Sequence, residues 1–287
     1  MSASKPLFRF VQVEYPWPLG PTDGRYLLRR PDDPADAPPS HVLVLATLGA
    51  PERRKMLSRS KRNAQPEPEP VATGRATVID VGEPLAAEAD ARSWLRQAGE
   101  ADLLEGIEVL NRALHAFRLV TADPYMHPVG RQHALVARVG FGSGEQVADG
   151  LWADARELLP ARRRRQPRAT VLQPQARLAA LLGGREQALA CEELALRARL
   201  DLDHGRHREA ALQVLVALDA TLAELTADRT AGTLADRLEE LRGQRDAIAG
   251  AAQTALGAPL SAAEREAVTF TLSRIEAAFR ARAVANA

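Results

Sequence analysis

Cysteine is almost missing from this chain of 287 residues: Cys191 stands alone, so no intramolecular disulfide can form, and the composition fits a reducing compartment. Long apolar runs are missing too, and no stretch approaches the roughly 20 residues that span a bilayer. The opening Met1-Ser2-Ala3-Ser4-Lys5-Pro6 turns straight into strand-like sequence with Arg9 inside it, which is not a secretory leader. These features predict a cytoplasmic protein with no membrane partner. An excess of charge of one sign is also lacking. A formal net charge of +1 creates no global field toward polyanions, so any nucleic-acid affinity must come from local clusters. No nucleophile, dinucleotide or metal motif of high specificity occurs, and no cofactor or metal is expected.

What is present changes grammar near residue 161. The first part is broken by Pro and Gly and contains β-branched and aromatic runs at Leu7 to Tyr15, Arg25 to Arg29, His41 to Leu48, Arg75 to Val81 and Ala134 to Phe141. Val42-Leu43-Val44-Leu45 has no polar face, which predicts a strand buried on both sides at the centre of the sheet. Helical periodicity predicts helices at about 87–98 and 102–120. The second of these has a stripe of Leu103, Ile107, Leu110, Leu114 and Phe117 for the sheet, and a solvent-facing polar side of Glu108, Asn111, Arg112 and His115. Residues 145–158 fit either a helix or a hairpin turning at Asp149-Gly150, and the hairpin is preferred. Beyond Pro174 the apolar spacing predicts helices at about 175–182, 186–203, 207–226, 233–249 and 261–282. Ser261 and Glu264 form a capping box ahead of the last.

The expected organisation is an α+β N-terminal domain over 1–160, a small mixed sheet with two helices, followed by an all-α helical-hairpin domain over 175–287. A basic, Pro-rich loop at 50–73 carries Arg53 to Arg62, and a basic linker at 161–174 carries Arg162, Arg163, Arg164 and Arg165. Gly205, Glu209, Ala210 and Ala217 place a glycine in an inter-helix turn and small residues where two helices approach. Over residues 187–222 this resembles one tetratricopeptide-type unit. The resemblance implies a helical hairpin used for packing or partner binding, with no catalytic content.

Several groupings carry chemistry on paper. Tyr125, His127, Arg131 and His133 cluster in a loop, where acid–base groups can be aimed into a cleft. Gly140-x-Gly142-x-Gly144 follows a strand but lacks the spacing of a phosphate loop, and reads as a tight turn. Asp201, Asp203, His204 and His207 have metal-ligand character, but Gly205 breaks their face and Arg206 and Arg208 oppose a cation, so they read as a solvated turn. Cys191 reads as a small core residue. The arginine clusters suit salt-sensitive, non-specific nucleic-acid contact. Val268, Leu272, Ile275 and Phe279 form one face of the last helix, with Phe270 about 200° from Leu272, a position for a partner or second subunit. The leading expectation is thus a non-enzymatic interaction or regulatory protein that binds a macromolecular partner through its helical C-terminal half. The alternative is a small-molecule or nucleotide-binding enzyme with a site near residues 121–150.

Overall fold

The computed structural model describes residues 6–30, 33–34, 36–49, 71–159, 168–228 and 231–285. Arg53 to Arg62 and Arg162 to Arg165 lie outside the described residues. Contacts divide the chain into two compact units, Met1–Arg162 and Arg163–Ala287.

The first unit is a six-stranded sheet of β1 (Leu7–Tyr15), β2 (Gly24–Leu28), β3 (His41–Leu48), β4 (Thr73–Leu85), β5 (Val136–Gly142) and β6 (Asp154–Glu157). Its order is β2-β3-β4-β1-β5-β6 and every pairing is antiparallel, which corrects the expected mixed sheet. The expected central position of β3 is also corrected: it lies second from one edge, and β4 and β1 hold the middle. Its apolar character reports burial on both faces, with Val42 and Leu43 at 4% and 0% exposed. Burial of the two faces is independent of lateral position in a sheet.

Alternation along β1 explains the layers. Val11, Val13 and Tyr15 point to the face covered by α1 (Glu88–Gln97) and α2 (Glu100–Thr121), where Leu103, Ile107, Leu110 and Leu114 complete the core. Gly106 lets α2 lie close, since a Cβ there would sit 2.6 Å from that of Val11. Phe8, Phe10, Gln12 and Glu14 point the other way. Among the described residues no α-helix covers that face; a 3-10 turn at Glu145–Asp149 and Trp152 fold across it, Val147 joining Phe10, Val42 and Ile79. Residues 145–158 therefore hold both alternatives in sequence, a short 3-10 turn and then the β5–β6 pairing.

Polar groups pin this cover. Gln12, fully buried, donates to Thr77 Oγ1 at 3.0 Å and to the Ala148 carbonyl at 3.3 Å. Arg138 donates to Gln12 Oε1 at 3.0 Å, and Arg75 and Arg138 share Glu14. Gly140 and Gly142 are spacers here: a Cβ at Gly140 would meet the Phe10 ring at 2.6 Å, and one at Gly142 would meet Val147 at 2.4 Å. With Arg25 bound to Glu145 at 2.8 Å, the glycine run is a packing device.

The second unit comprises α3 (Arg168–Leu182), α4 (Ala190–Asp203), α5 (His207–Thr226), α6 (Ala231–Gly257) and α7 (Ala262–Ala285). Part of the expected 161–174 linker is thus helix, because α3 runs through Pro174, while α4 starts four residues later and α6 ends eight residues later than expected. Buried Ala195, Ala198, Ala210, Ala211 and Ala217 let α4 and α5 pack closely, and Gly205 turns between them at φ +68°. α7 lies against α4, α5 and α6. Its capping box forms as expected, Ser261 N–H to Glu264 Oε2 at 2.8 Å and Glu264 N–H to Ser261 Oγ at 3.3 Å. Among the described residues no helix is long and apolar enough to cross a membrane.

Candidate ligand cleft

Two hollows open at opposite ends of β1 on the helix-covered side of the sheet. At the end after Tyr15, Trp17, Tyr125, His127 and His133 line a cleft of about 370 Å³. Three of the four loop residues singled out from sequence thus meet. Arg131 does not line it: its guanidinium donates to the Leu158 carbonyl at 2.6 Å and lies 3.9 Å from Glu100. The cleft's polar groups are held locally. His133 Nδ1 accepts the Gly130 N–H at 3.2 Å, and its ring centroid is 6.1 Å from that of Trp17. Tyr125 is 83% exposed and reaches no core. The cleft's inner wall explains a second departure from expectation. Asn111, assigned to a solvent-facing stripe, is 4% exposed; its Nδ2 donates to the Val129 carbonyl at 2.9 Å, and its Oδ1 accepts the Val129 N–H at 2.8 Å. An amide can satisfy both groups of one buried peptide at once, so it belongs inside.

At the other end, register assembles a different site. Arg9 is opposite Asp80, and Asp80 is opposite His41, so three adjacent strands place a cation, a carboxylate and an imidazole side by side on the inward face. Adjacent strands lie roughly 4.8 Å apart, so the row is about 10 Å long. Trp94 of α1 and Asp102 and Glu105 of α2 close over it, with Arg30 and Glu83 at the side, enclosing about 280 Å³. That is at the small end of ligand cavities.

Each member of the row is held differently. The Arg9 guanidinium carbon stands 5.7 Å from the centre of the Trp94 ring, a cation–π arrangement, and its buried Nε has no hydrogen-bond partner. One Asp80 oxygen accepts the Gly82 N–H at 3.1 Å. His41 is 7% exposed, and its Nδ1 lies 2.9 Å from Ser40 Oγ. Ser40 Oγ is 3.3 Å from the Leu28 carbonyl. A hydroxyl that donates to that carbonyl accepts from His41 Nδ1–H, which puts the imidazole lone pair on Nε2. Burial holds His41 below its ordinary pKa; Asp80 and Glu105 pull upward, Arg112 and Arg30 downward. The ring is therefore neutral at neutral pH.

Sequence reasoning noted Arg9 as an interruption of an apolar face and passed over Asp80 and His41. The available signal was shared: each is the polar residue at an inward position of a strand whose other inward residues are apolar, Val11 and Val13, Val78 and Ala76, Leu43 and Leu45.

In the helical unit Cys191 is fully buried, its thiol pushed up to about 12 by burial and then by Glu224, whose carboxylate also accepts the Cys191 N–H at 2.9 Å. Asp201 is bound by Arg206 at 2.8 Å and Asp203 lies 3.7 Å from Arg199. Among the described residues no group of three or more His, Cys, Asp or Glu could hold a metal ion. Val268, Leu272 and Ile275 are buried, while Phe270 is 45% exposed.

No family model, curated protein or solved structure matches the chain, so the chemistry of these residues carries the functional argument by itself.

Proposed function

We propose that the α+β unit is a small-molecule-binding module whose ligand sits in the cleft between the Arg9–Asp80–His41 row and helices α1 and α2. The observation that carries this reading is the row itself: three inward-facing polar side chains in register beneath two helices, where the neighbouring inward positions are apolar. Turning an arginine, an aspartate and a histidine inward costs folding free energy unless they are paired or hydrogen-bonded. The partnerless Arg9 Nε shows that the strands do not satisfy the row completely. A hollow into which a few polar side chains converge, one of them a histidine held below its ordinary pKa by burial, is the usual form of a binding site. The test is a thermal-shift screen of the full chain against small metabolites. A ligand present at 100 times its Kd stabilises by about 2.7 kcal/mol, and Arg9→Met or His41→Gln should remove the shift. A stabilising ligand whose effect survives in both variants would place binding elsewhere.

Phe270 supports a second reading, in which α7 contacts a protein partner or a second copy of the chain. A half-exposed phenyl on a helix whose opposite face is already buried in the bundle leaves apolar surface for a partner. Phe270→Ser should weaken association in sedimentation runs and leave the unfolding midpoint nearly unchanged. A large loss of stability with association intact would make Phe270 a packing residue only.

A further inference from the structure

Complementarity to the cleft narrows the ligand. Arg9 can only donate hydrogen bonds; the free oxygen of Asp80 and the neutral Nε2 of His41 accept, and Glu105 adds an acceptor on the exposed rim. Across the row the order is donor, acceptor, acceptor. The matching ligand presents an acceptor beside a group with several N–H donors.

Charge makes the same selection. With His41 neutral, four carboxylates (Asp80, Glu83, Asp102, Glu105) face two guanidiniums (Arg9, Arg30). Part of this set is already engaged: Asp102 Oδ2 accepts the Gly99 N–H at 2.7 Å, and Arg30 and Glu83 approach each other to 3.7 Å. Arg9, Asp80 and Glu105 are left to meet a ligand. A simple anion would face an excess of negative charge, and a simple cation would leave the donors of Arg9 without an acceptor. The cavity of about 280 Å³ admits only a small molecule.

Resting on the ligand-cleft reading above, we infer that the cleft takes a small zwitterion, with a carboxylate lying toward Arg9 and an ammonium a few bonds away shared by Asp80, His41 and Glu105. The planar guanidinium fork suits a carboxylate, and the three protons of an ammonium suit three acceptors at different angles.

The experiment is calorimetric titration of the full chain at low ionic strength with two matched series: L-alanine, propanoate and ethylamine, then 4-aminobutanoate, butanoate and butylamine. In at least one series the zwitterion should bind at least about tenfold more tightly than either half. Arg9→Met should lower the zwitterion to the affinity of its amine, and Asp80→Asn to that of its carboxylate. The comparison of probes on the unaltered protein needs no variant, and Glu105→Gln on the exposed rim gives a third substitution with little call on folding. A half-molecule that binds as tightly as its zwitterion overturns the inference. So does silence from all six probes. If a broader screen then finds a ligand lost in Arg9→Met, the ligand cleft stands and only the zwitterion falls; if no ligand depends on the cleft, both fall.

Discussion

Inside the α+β unit Gln12, His41, Thr77 and Asn111 are buried with named partners, whereas the buried polar side chains described in the helical unit are Thr221 and Thr271 among Ala, Leu and Val. The difference follows from the architecture. A sheet saturates its own backbone and sets side chains in fixed cross-strand rows, so polar groups on neighbouring strands meet in register and can satisfy one another. A helical bundle fills volume between ridges, and its charged groups pair around that apolar core, some part-buried, as with Arg282 and Asp228 at 2.9 Å, and some exposed, as with Arg245 and Asp219 at 2.8 Å. Register-set polar rows thus form inside the first unit, and apolar packing predominates inside the second. The chain supplies its own reporters for separating them. All three tryptophans, Trp17, Trp94 and Trp152, lie in the α+β unit, and the single cysteine lies in the helical one.

The largest expected effect is at Asn111. Replacing it with Ala strands both the N–H and the carbonyl of Val129 in a buried position, and each unsatisfied group costs about 1–3 kcal/mol. Asn111→Ala should lower the stability of the α+β unit by about 2–4 kcal/mol, read as an earlier tryptophan-fluorescence midpoint in denaturant. An unmoved midpoint would mean that buried polar pairing is not what distinguishes the two units.

Next come two glycines in helices, chosen because the same substitution should act in opposite directions. At Gly106 a Cβ would fall 2.6 to 2.8 Å from three atoms of Val11, a β-branched residue with little freedom to turn aside. Overpacking costs about 1–3 kcal/mol and outweighs the helix-propensity gain of roughly 1 kcal/mol. At Gly250 in α6 nothing lies within 4 Å of the new carbon, and Gly250→Ala should gain about 0.5–1 kcal/mol. Far-UV circular dichroism against tryptophan fluorescence assigns each change to its unit. A gain at Gly106 would show that α2 does not approach β1 as closely as its packing requires.

Thiol reactivity sharpens the contrast without altering stability at neutral pH. Buried and with its pKa pushed up to about 12, Cys191 should resist alkylation at pH 8 until the helical unit opens. Because the unfolded thiol ionises from 9.0 upward and the folded one does not, the helical unit should lose stability as pH rises from 9 toward 12. Rapid labelling of the native protein would contradict the buried position.

Periodic features were legible in the sequence and pairings were not. Every strand before β6 and both α+β helices follow from β-rich runs and helical periodicity, and the Ser261–Glu264 cap follows from its spacing. Sheet order depends on which edges meet, and nothing local to Val42–Leu45 distinguishes a central strand from one whose second face is covered by Val147 and Trp152. Likewise Asn111 lies on the polar side of its helix, and only the return of the 122–130 loop buries it. The Tyr125, His127 and His133 grouping was visible because it is contiguous. Arg9, Asp80 and His41 are separated by some 30 to 70 positions, and only strand register joins them. The metal-like grouping at 201–207 looked chemical for the opposite reason, closeness in sequence, and its carboxylates are occupied by Arg199 and Arg206.

The smallest effect at neutral pH belongs to His41, and it tests whether the polar row is a cost carried by the α+β unit alone. The imidazole faces Asp80 and Glu105, which favour its protonation, and Arg112 and Arg30, which oppose it, while burial tips the balance so that its pKa lies below 6.5. Well above 6.5 the ring is neutral both folded and unfolded and contributes no pH dependence. As pH falls below 6.5 the unfolded chain takes up the proton first, so the α+β unit loses stability until the folded pKa is passed. His41→Gln, which keeps a side chain of similar reach without a titrating group, should flatten that acid limb of the tryptophan-monitored midpoint between pH 7 and 5 and leave the helical unit's midpoint where it was. Carboxylate titrations below pH 5 remain in both proteins and cancel in the comparison. Parallel acid limbs for the two proteins would mean that His41 is as free to protonate in the fold as in the unfolded chain, and the neutral acceptor in the cleft would be lost from the argument.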